Sequence, residues 1–212
     1  METIAADEML HSPSQDMRIT WFRALRGVAE SPKARGQLKD MLSGKVTVPG
    51  VELRPLDRWN IVASLVALND AEADAVLAAE EKRDSSGDGK KYAYMAAAAR
   101  AQAETKKTYF DEYLHNSARP EDWIEQSLSS FNWWNQSELT LPYLGPALDA
   151  LPQVKRDRKI FFMLAWLNAF IGGQQSAAAQ KQVHEFLETA ALDRDLKLKI
   201  LEVVDEIGRA HV

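Results

Sequence analysis

"LDRWNIVASLVAL" fills residues 56–68, and "DAEADAVLAAEEKRD" follows at 70–84. The first stretch reads as a strongly apolar helix. The second reads as a helix with a polar face, able to cover its neighbour on one side and meet water on the other. Together they make a helix pair, and the rest of the chain repeats that arrangement. Upstream, Asp16 can cap a helix whose apolar face is Ile19, Phe22, Leu25 and Val28. Ser31-Pro32 stops it and opens the next, "SPKARGQLKDMLSG", which ends at Gly44. Between that helix and Leu56 lies the one extended piece, "KVTVPGVELRP", a loop or marginal hairpin around Pro49-Gly50.

Downstream, "SSGDG" breaks the chain and "KKYAYMAAAARAQ" restarts it; "ETKKTYFDEYLHN" and "PEDWIEQSLSSF" follow. Pro142 and Pro146 cut "QSELTLPYLGPALDAL" into short helices. "VKRDRKIFFMLAWLNAF", "SAAAQKQVHEFLETA" and "DRDLKLKILEVVDEIG" complete a series of about ten short helices joined by short polar loops. Helix pairs in series stack as an α-solenoid or α/α superhelix. No crisp repeat motif recurs and no domain boundary stands out. The expectation is an all-α fold, an α/α superhelix of HEAT-like antiparallel helix pairs over residues 17–212, with a poorly anchored segment at 1–16.

Composition bounds the function. The net charge of −5 argues against a general nucleic-acid binder, whose footprint is a basic surface. The chain has no cysteine, which excludes disulfides, thiolate zinc sites and cysteine nucleophiles and suits a reducing compartment such as the cytoplasm. The most apolar run, residues 160–173, is shorter than the roughly 20 residues a membrane span needs and contains Asn168, so it reads as a buried core helix and no membrane span is expected.

Three stretches approach known sites and stop short. "HEFLE", from His184 to Glu188, has the first His and the Glu of the zinc motif H-E-x-x-H, but a Glu in place of the second His. The position where a further Glu ligand would stand is Ile207, with Glu206 about 100° round the helix. Val183, Phe186, Leu187 and Ala190 explain this stretch as an ordinary amphipathic helix. "DSSGDGKKYAYM" places Asp84, Ser86, Asp88 and Gly89 as in a calcium loop, yet the twelfth position is Met95, so a turn that caps the next helix is the better reading. "VKRDRK", with Lys155 and Arg156, reads as a solvated helix start able to meet an anion. The aromatic group Phe131, Trp133 and Trp134 reads as core filling at a helix junction. The histidines, His11, His115, His184 and His211, are scattered, and no complete catalytic set emerges.

Several stretches in order resemble the C-terminal α-helical domain of the aminopeptidase N family of zinc metallopeptidases. They are the Asp57-Arg58-Trp59 triplet, the acidic helix ending in Asp84-x-x-x-x-Gly89, and the alanine-rich helix after it. Then come the lysine-led aromatic helix with Lys106, Lys107, Tyr109 and Phe110, and the segment Glu138-Leu139-x-x-Pro142-Tyr143. "ARAQAETKK" departs from the pattern, since the family often has a proline before the lysine helix. The likeness runs from about Met17 to the end.

That resemblance implies a HEAT-like superhelix that packs on a catalytic domain and helps enclose a peptide channel. The implied partners are that catalytic domain and the peptide substrate. The implied zinc belongs to the catalytic domain, so no cofactor, metal ligand or catalytic residue is expected in this chain. Arg58, Lys155 and Arg156 are the candidates for a peptide-carboxylate or interdomain contact. For Arg58 the competing expectation is an ion pair with a neighbouring acid such as Asp84. The alternative function is a stand-alone helical scaffold that binds a protein or peptide partner.

Overall fold

The computed structural model describes residues 1–115 and 118–209, with side chains described as far as Asp205. His211, and the side chains of Glu206 and Ile207, lie outside the described residues. The described residues are all-α, with no strand among them. They fall into two compact units, residues 1–97 and 98–212, at a division the sequence marks with no linker.

The first unit holds α1 (Glu2–His11), α2 (Gln15–Val28), α3 (Pro32–Ser43), α4 (Pro55–Ala67), α5 (Ala73–Arg83) and most of α6 (Gly87–Ala98). The pairs α1–α2 and α4–α5 run antiparallel. The Glu2 carboxylate at the start of α1 accepts the Ser31 N–H beyond the end of α2 at 2.7 Å. Arg58, early in α4, meets Glu80, late in α5. Second neighbours pack too, α1 on α3 and α2 on α4, which sets these helices in two layers. The core between the layers contains Met9, Phe22, Leu25, Leu38, Met41, Ile61 and Leu65.

Local signals account for most helix ends. Ser31 Oγ accepts the Ala34 N–H at 3.1 Å, with Pro32 in the first turn. Gly44 closes α3 at φ 79°, a left-handed conformation open to glycine at little cost. Two expectations change. The cap of α2 is Ser14, whose Oγ receives the Met17 N–H, and Asp16 sits inside the helix. Residues 2–11, within the segment expected to be poorly anchored, form α1 with Ala5, Ala6 and Met9 buried against α2 and α3. Small residues carry that buried face, so its hydrophobic signal is weak. The valine-rich piece is a loop: Val51 N–H bonds Val48 O at 3.0 Å, and Val48 is buried in the core.

The second unit holds α7 (Ala103–His115), α8 (Glu121–Phe131), α9 (Ser137–Thr140), a 3₁₀ turn at Leu141–Tyr143, α10 (Leu144–Asp149), α11 (Leu151–Asp157), α12 (Ile160–Phe170), α13 (Ala177–Thr189) and α14 (Arg194–Arg209). Here α8 and α12 lie side by side and run parallel. Arg158 meets Glu121 at 3.8 Å where both begin, and the Phe131 and Phe170 rings lie 5.6 Å apart where both end. One layer contains α8, α12 and α14; the other contains α7, the broken α9–α11 stretch and α13. Phe110, Phe131, Trp166 and Phe170 fill the space between them. Phe131 is core, as its sequence position suggests, but Trp134 is exposed. The Val183 and Leu187 face of α13 is buried, in line with its amphipathic spacing.

Candidate functional site

The family-like residues of the first unit meet in one network, and antiparallel pairing explains it. Arg58 and Trp59 are neighbours on α4, so their side chains leave the helix about 100° apart. Glu80 and Asp84 stand one turn apart at the end of α5 and receive one each. Arg58 grips the buried Glu80 carboxylate with two bonds, Nε to Oε1 and Nη2 to Oε2, both 2.8 Å. Its Nη1 donates to Leu42 O at 3.0 Å. Arg83 donates to Glu80 Oε1 from the other side. Burial opposes ionisation of Glu80, but the hydrogen bonds from Arg58 and Arg83 prevail and hold its carboxyl below the usual range. Fully buried Trp59 donates its indole N–H to Asp84 Oδ2 at 3.0 Å. The expectation of an acid for Arg58 was sound in kind, but the partner is Glu80, one turn earlier than Asp84.

The Asp84–Gly89 spacing has an equally local cause. Asp84 Oδ1 accepts from the Ser86 hydroxyl at 2.7 Å, and Ser86 Oγ caps α6 by accepting the Gly89 N–H at 2.9 Å. The hydrogen bonds from Ser86 and Trp59 hold the Asp84 carboxyl below its ordinary value. A Cβ on Gly89 would sit 2.1 Å from Asp84 O and 2.6 Å from its Cγ, so no side chain fits there. Gly89→Ala is expected to destabilise the chain by about 2–3 kcal/mol through overpacking against backbone. Gly87→Ala, where a Cβ meets nothing within 4 Å, serves as the control. Equal melting temperatures for the two variants would refute this account.

A groove of about 630 Å³ adjoins the Arg58 network, lined among others by Lys39, Lys45, Arg58, Glu72, Glu80 and Arg83. Its cations are already neutralised. Lys39 pairs with Asp70 and Glu72, Lys45 with Asp40, and both arginines with Glu80. A carboxylate arriving at Arg58 must displace Glu80 and disrupt a buried pair. In the second unit Lys155 is held by Asp193 at 2.8 Å and Asp195 at 3.1 Å. Arg156, next to it, is exposed and has no ion-pair partner among the described residues. Lys155 and Arg156 are thus together on α11, while Arg58 belongs to the other unit.

One unusual group gave no sequence signal beyond the lysine-led motif. Lys106, on α7, is fully buried. Its Nζ donates to Ala98 O at 2.9 Å and Phe131 O at 2.7 Å, the last carbonyls of α6 and α8, and lies 5.1 Å from the Phe131 ring centre. Two carbonyl acceptors match the two N–H bonds of a neutral amine. Burial pushes its pKa down to about 7. Lys107, its neighbour, is exposed and pairs with Asp111. His184 is likewise exposed, with Nδ1 2.8 Å from Gln180 O. Among the described residues no three His, Cys, Asp or Glu side chains converge to hold a metal ion.

Networks of this kind lock helix pairs together. The same residues are those that resemble a family pattern, and the family model for the ERAP1-like C-terminal domain matches residues 3–209. The chain belongs to that family. It is also 27% identical, over 143 residues, to an aminopeptidase N of Streptomyces lividans. The match covers 68% of this chain and 17% of that relative, so the chain corresponds to a small part of the longer protein. As a member of the ERAP1-like C-terminal domain family, it shows its Arg58, Trp59, Asp84 and Gly89 pattern as a set of structural contacts. Among the described residues no helix is long and apolar enough to cross a membrane.

Proposed function

We propose that this chain is the non-catalytic C-terminal domain of a zinc aminopeptidase. In this reading it packs on the catalytic domain and helps enclose the channel through which peptides reach the zinc. The family match across nearly the whole chain carries the proposal, and the likeness to an aminopeptidase N supports it. Among the described residues no three His, Cys, Asp or Glu side chains converge, and in this reading the zinc belongs to the catalytic domain. Of the three cations singled out from the sequence, Arg156 is the one open to contact outside the chain. Arg58 and Lys155 serve internal pairs. A cysteine-free chain suits the cytoplasm. A net charge of −5 gives no reason to propose a nucleic-acid partner.

The test is direct. The full chain, incubated with zinc and aminoacyl amide substrates, is expected to give no turnover above zinc alone. Turnover that a chelator abolishes and zinc restores would overturn the non-catalytic reading.

A further inference from the structure

Because α8 and α12 run parallel, their C-terminal ends come together at Phe131 and Phe170. Each end carries the partial negative charge of its helix. A groove of about 390 Å³ runs between the two helices to these ends. Its walls are matched strips, Glu125, Leu128 and Asn132 along α8 and Ala165, Ala169 and Gly172 along α12. The α12 strip carries nothing larger than a methyl group, so a narrow chain fits beside it.

The unpaired groups of the groove are acceptors. Asn132 is 6% exposed, and its Nδ2 is committed to Leu128 O at 3.1 Å. Its Oδ1 has no hydrogen-bond partner among the described residues. A buried acceptor without a donor costs stability until one arrives. Across from it, the Gly172 N–H reaches back to Leu167 O at 3.2 Å, in place of Asn168 O, the acceptor a regular helix would use. A Cβ on Gly172 would fall 2.5 Å from Asn168 O, and one on Gly173 2.4 Å from Ala169 O, so bare backbone closes this end of the groove. At the other end stands Glu125, half-buried and without an ion-pair partner among the described residues. No lysine, arginine or histidine lines the groove among the described residues. Lys106 serves Phe131 O from α7. Around the start of α12 the acids Glu121, Asp122, Glu125 and Asp157 outnumber the cations Arg156, Arg158 and Lys159, and Arg158 is held by Glu121. Glu125 and Asn132 are seven residues apart, two turns on one face and about 10 Å along the axis.

We propose that this groove binds a linear aliphatic polyamine. One terminal ammonium donates to Asn132 Oδ1 at the negative ends of α8 and α12. The other pairs with Glu125, and the methylenes between them lie over Leu128, Ala165 and Ala169. A lysine side chain offers the same ammonium but only one, so it cannot satisfy both ends. The proposal goes beyond the aminopeptidase reading and does not depend on it.

Calorimetric titration of the full chain in about 0.15 M salt tests it. Spermidine, long enough to span the two anchors, is expected to bind one-to-one. It should bind at least about tenfold more tightly than putrescine, which is too short, or butylamine, which has one ammonium. Glu125→Gln is expected to weaken spermidine about tenfold and leave butylamine unchanged; Asn132→Ala should weaken both. Glu81→Gln, at an exposed acid of the other unit, should change neither. Melting curves verify that the variants fold, and if Asn132→Ala does not, Glu125→Gln and the amine series decide. An absence of saturable binding, no preference for spermidine, or equal weakening by Glu81→Gln would overturn the proposal. So would N-acetyl-lysine amide binding as tightly as spermidine, because the groove would then receive a lysine of another protein.

Discussion

Glu80→Ala is expected to destabilise the first unit by about 3–5 kcal/mol, the cost of leaving one partner of a buried ion pair behind. Glu80 is 4% exposed and holds two arginines. Arg83 is nearly half exposed and can return to water. Arg58 cannot do so freely: its Nη1 is bonded to Leu42 O, and little of its side chain reaches solvent. Its charge is therefore stranded, and the closure of α4 on α5 loosens. The melting temperature is expected to fall by about 10 °C or more for a chain of this size. Glu80→Gln retains the shape and one acceptor, so it should fall between the two. A double variant with methionine at both 58 and 80 should recover most of the loss, since no charge is then orphaned. A full loss in that double variant would show that packing, not charge, is what Glu80 supplies. The pH dependence has a definite sign. The folded carboxyl titrates below its unfolded value, so its stabilising contribution is complete above the unfolded pKa and is lost as pH falls through the folded one.

Lys106→Met is expected to be destabilising by about 2–4 kcal/mol near pH 10, because two buried carbonyls, Ala98 O and Phe131 O, lose their donor. The loss should depend on pH in a way that identifies the amine. Burial places the Lys106 pKa at about 7 in the folded chain, below the ordinary value of 10.5. Between these values the unfolded chain binds the extra proton and the folded chain does not. Wild-type stability then rises with pH across this window, by up to about 1.4 kcal/mol per unit, and falls as pH drops through 7. Methionine has no such proton, so the gap between wild type and variant should shrink steadily from pH 10 and close or change sign by about pH 7, since three units at about 1.4 kcal/mol each match or exceed it. Urea titrations of both proteins at intervals through that range measure it. A gap that is constant with pH would mean that Lys106 is an ordinary ammonium in both states.

The fold was legible in the sequence because its signals are local. The apolar stretch at 56–68 and its polar-faced successor are the α4–α5 pair. Ser31-Pro32, Gly44 and the Ser86 turn fix helix ends through bonds within a few residues. The order of the motifs sufficed to identify the family. A local signal fails where its residues are small or ambiguous. Ala5, Ala6 and Met9 bury α1 without a strong apolar pattern, and Ser14 competes with Asp16 for one cap. Roles that depend on who faces whom were beyond its reach. The sequence offered Arg58 and two acids one turn apart, and only the antiparallel crossing of α4 and α5 gave Glu80 to the arginine and Asp84 to Trp59. It offered Lys106-Lys107 as equals, and packing against the ends of α6 and α8 buried one and left the other in water. It read α12 as a buried core helix, and its inner face is buried, yet Ile160 and Phe161 at its start are exposed. Helix identity and family follow from spacing along the chain; which charge is buried, which cation is free and which apolar face stays open follow from contacts between distant residues, because burial is a property of the neighbours a side chain acquires only when the helices pack.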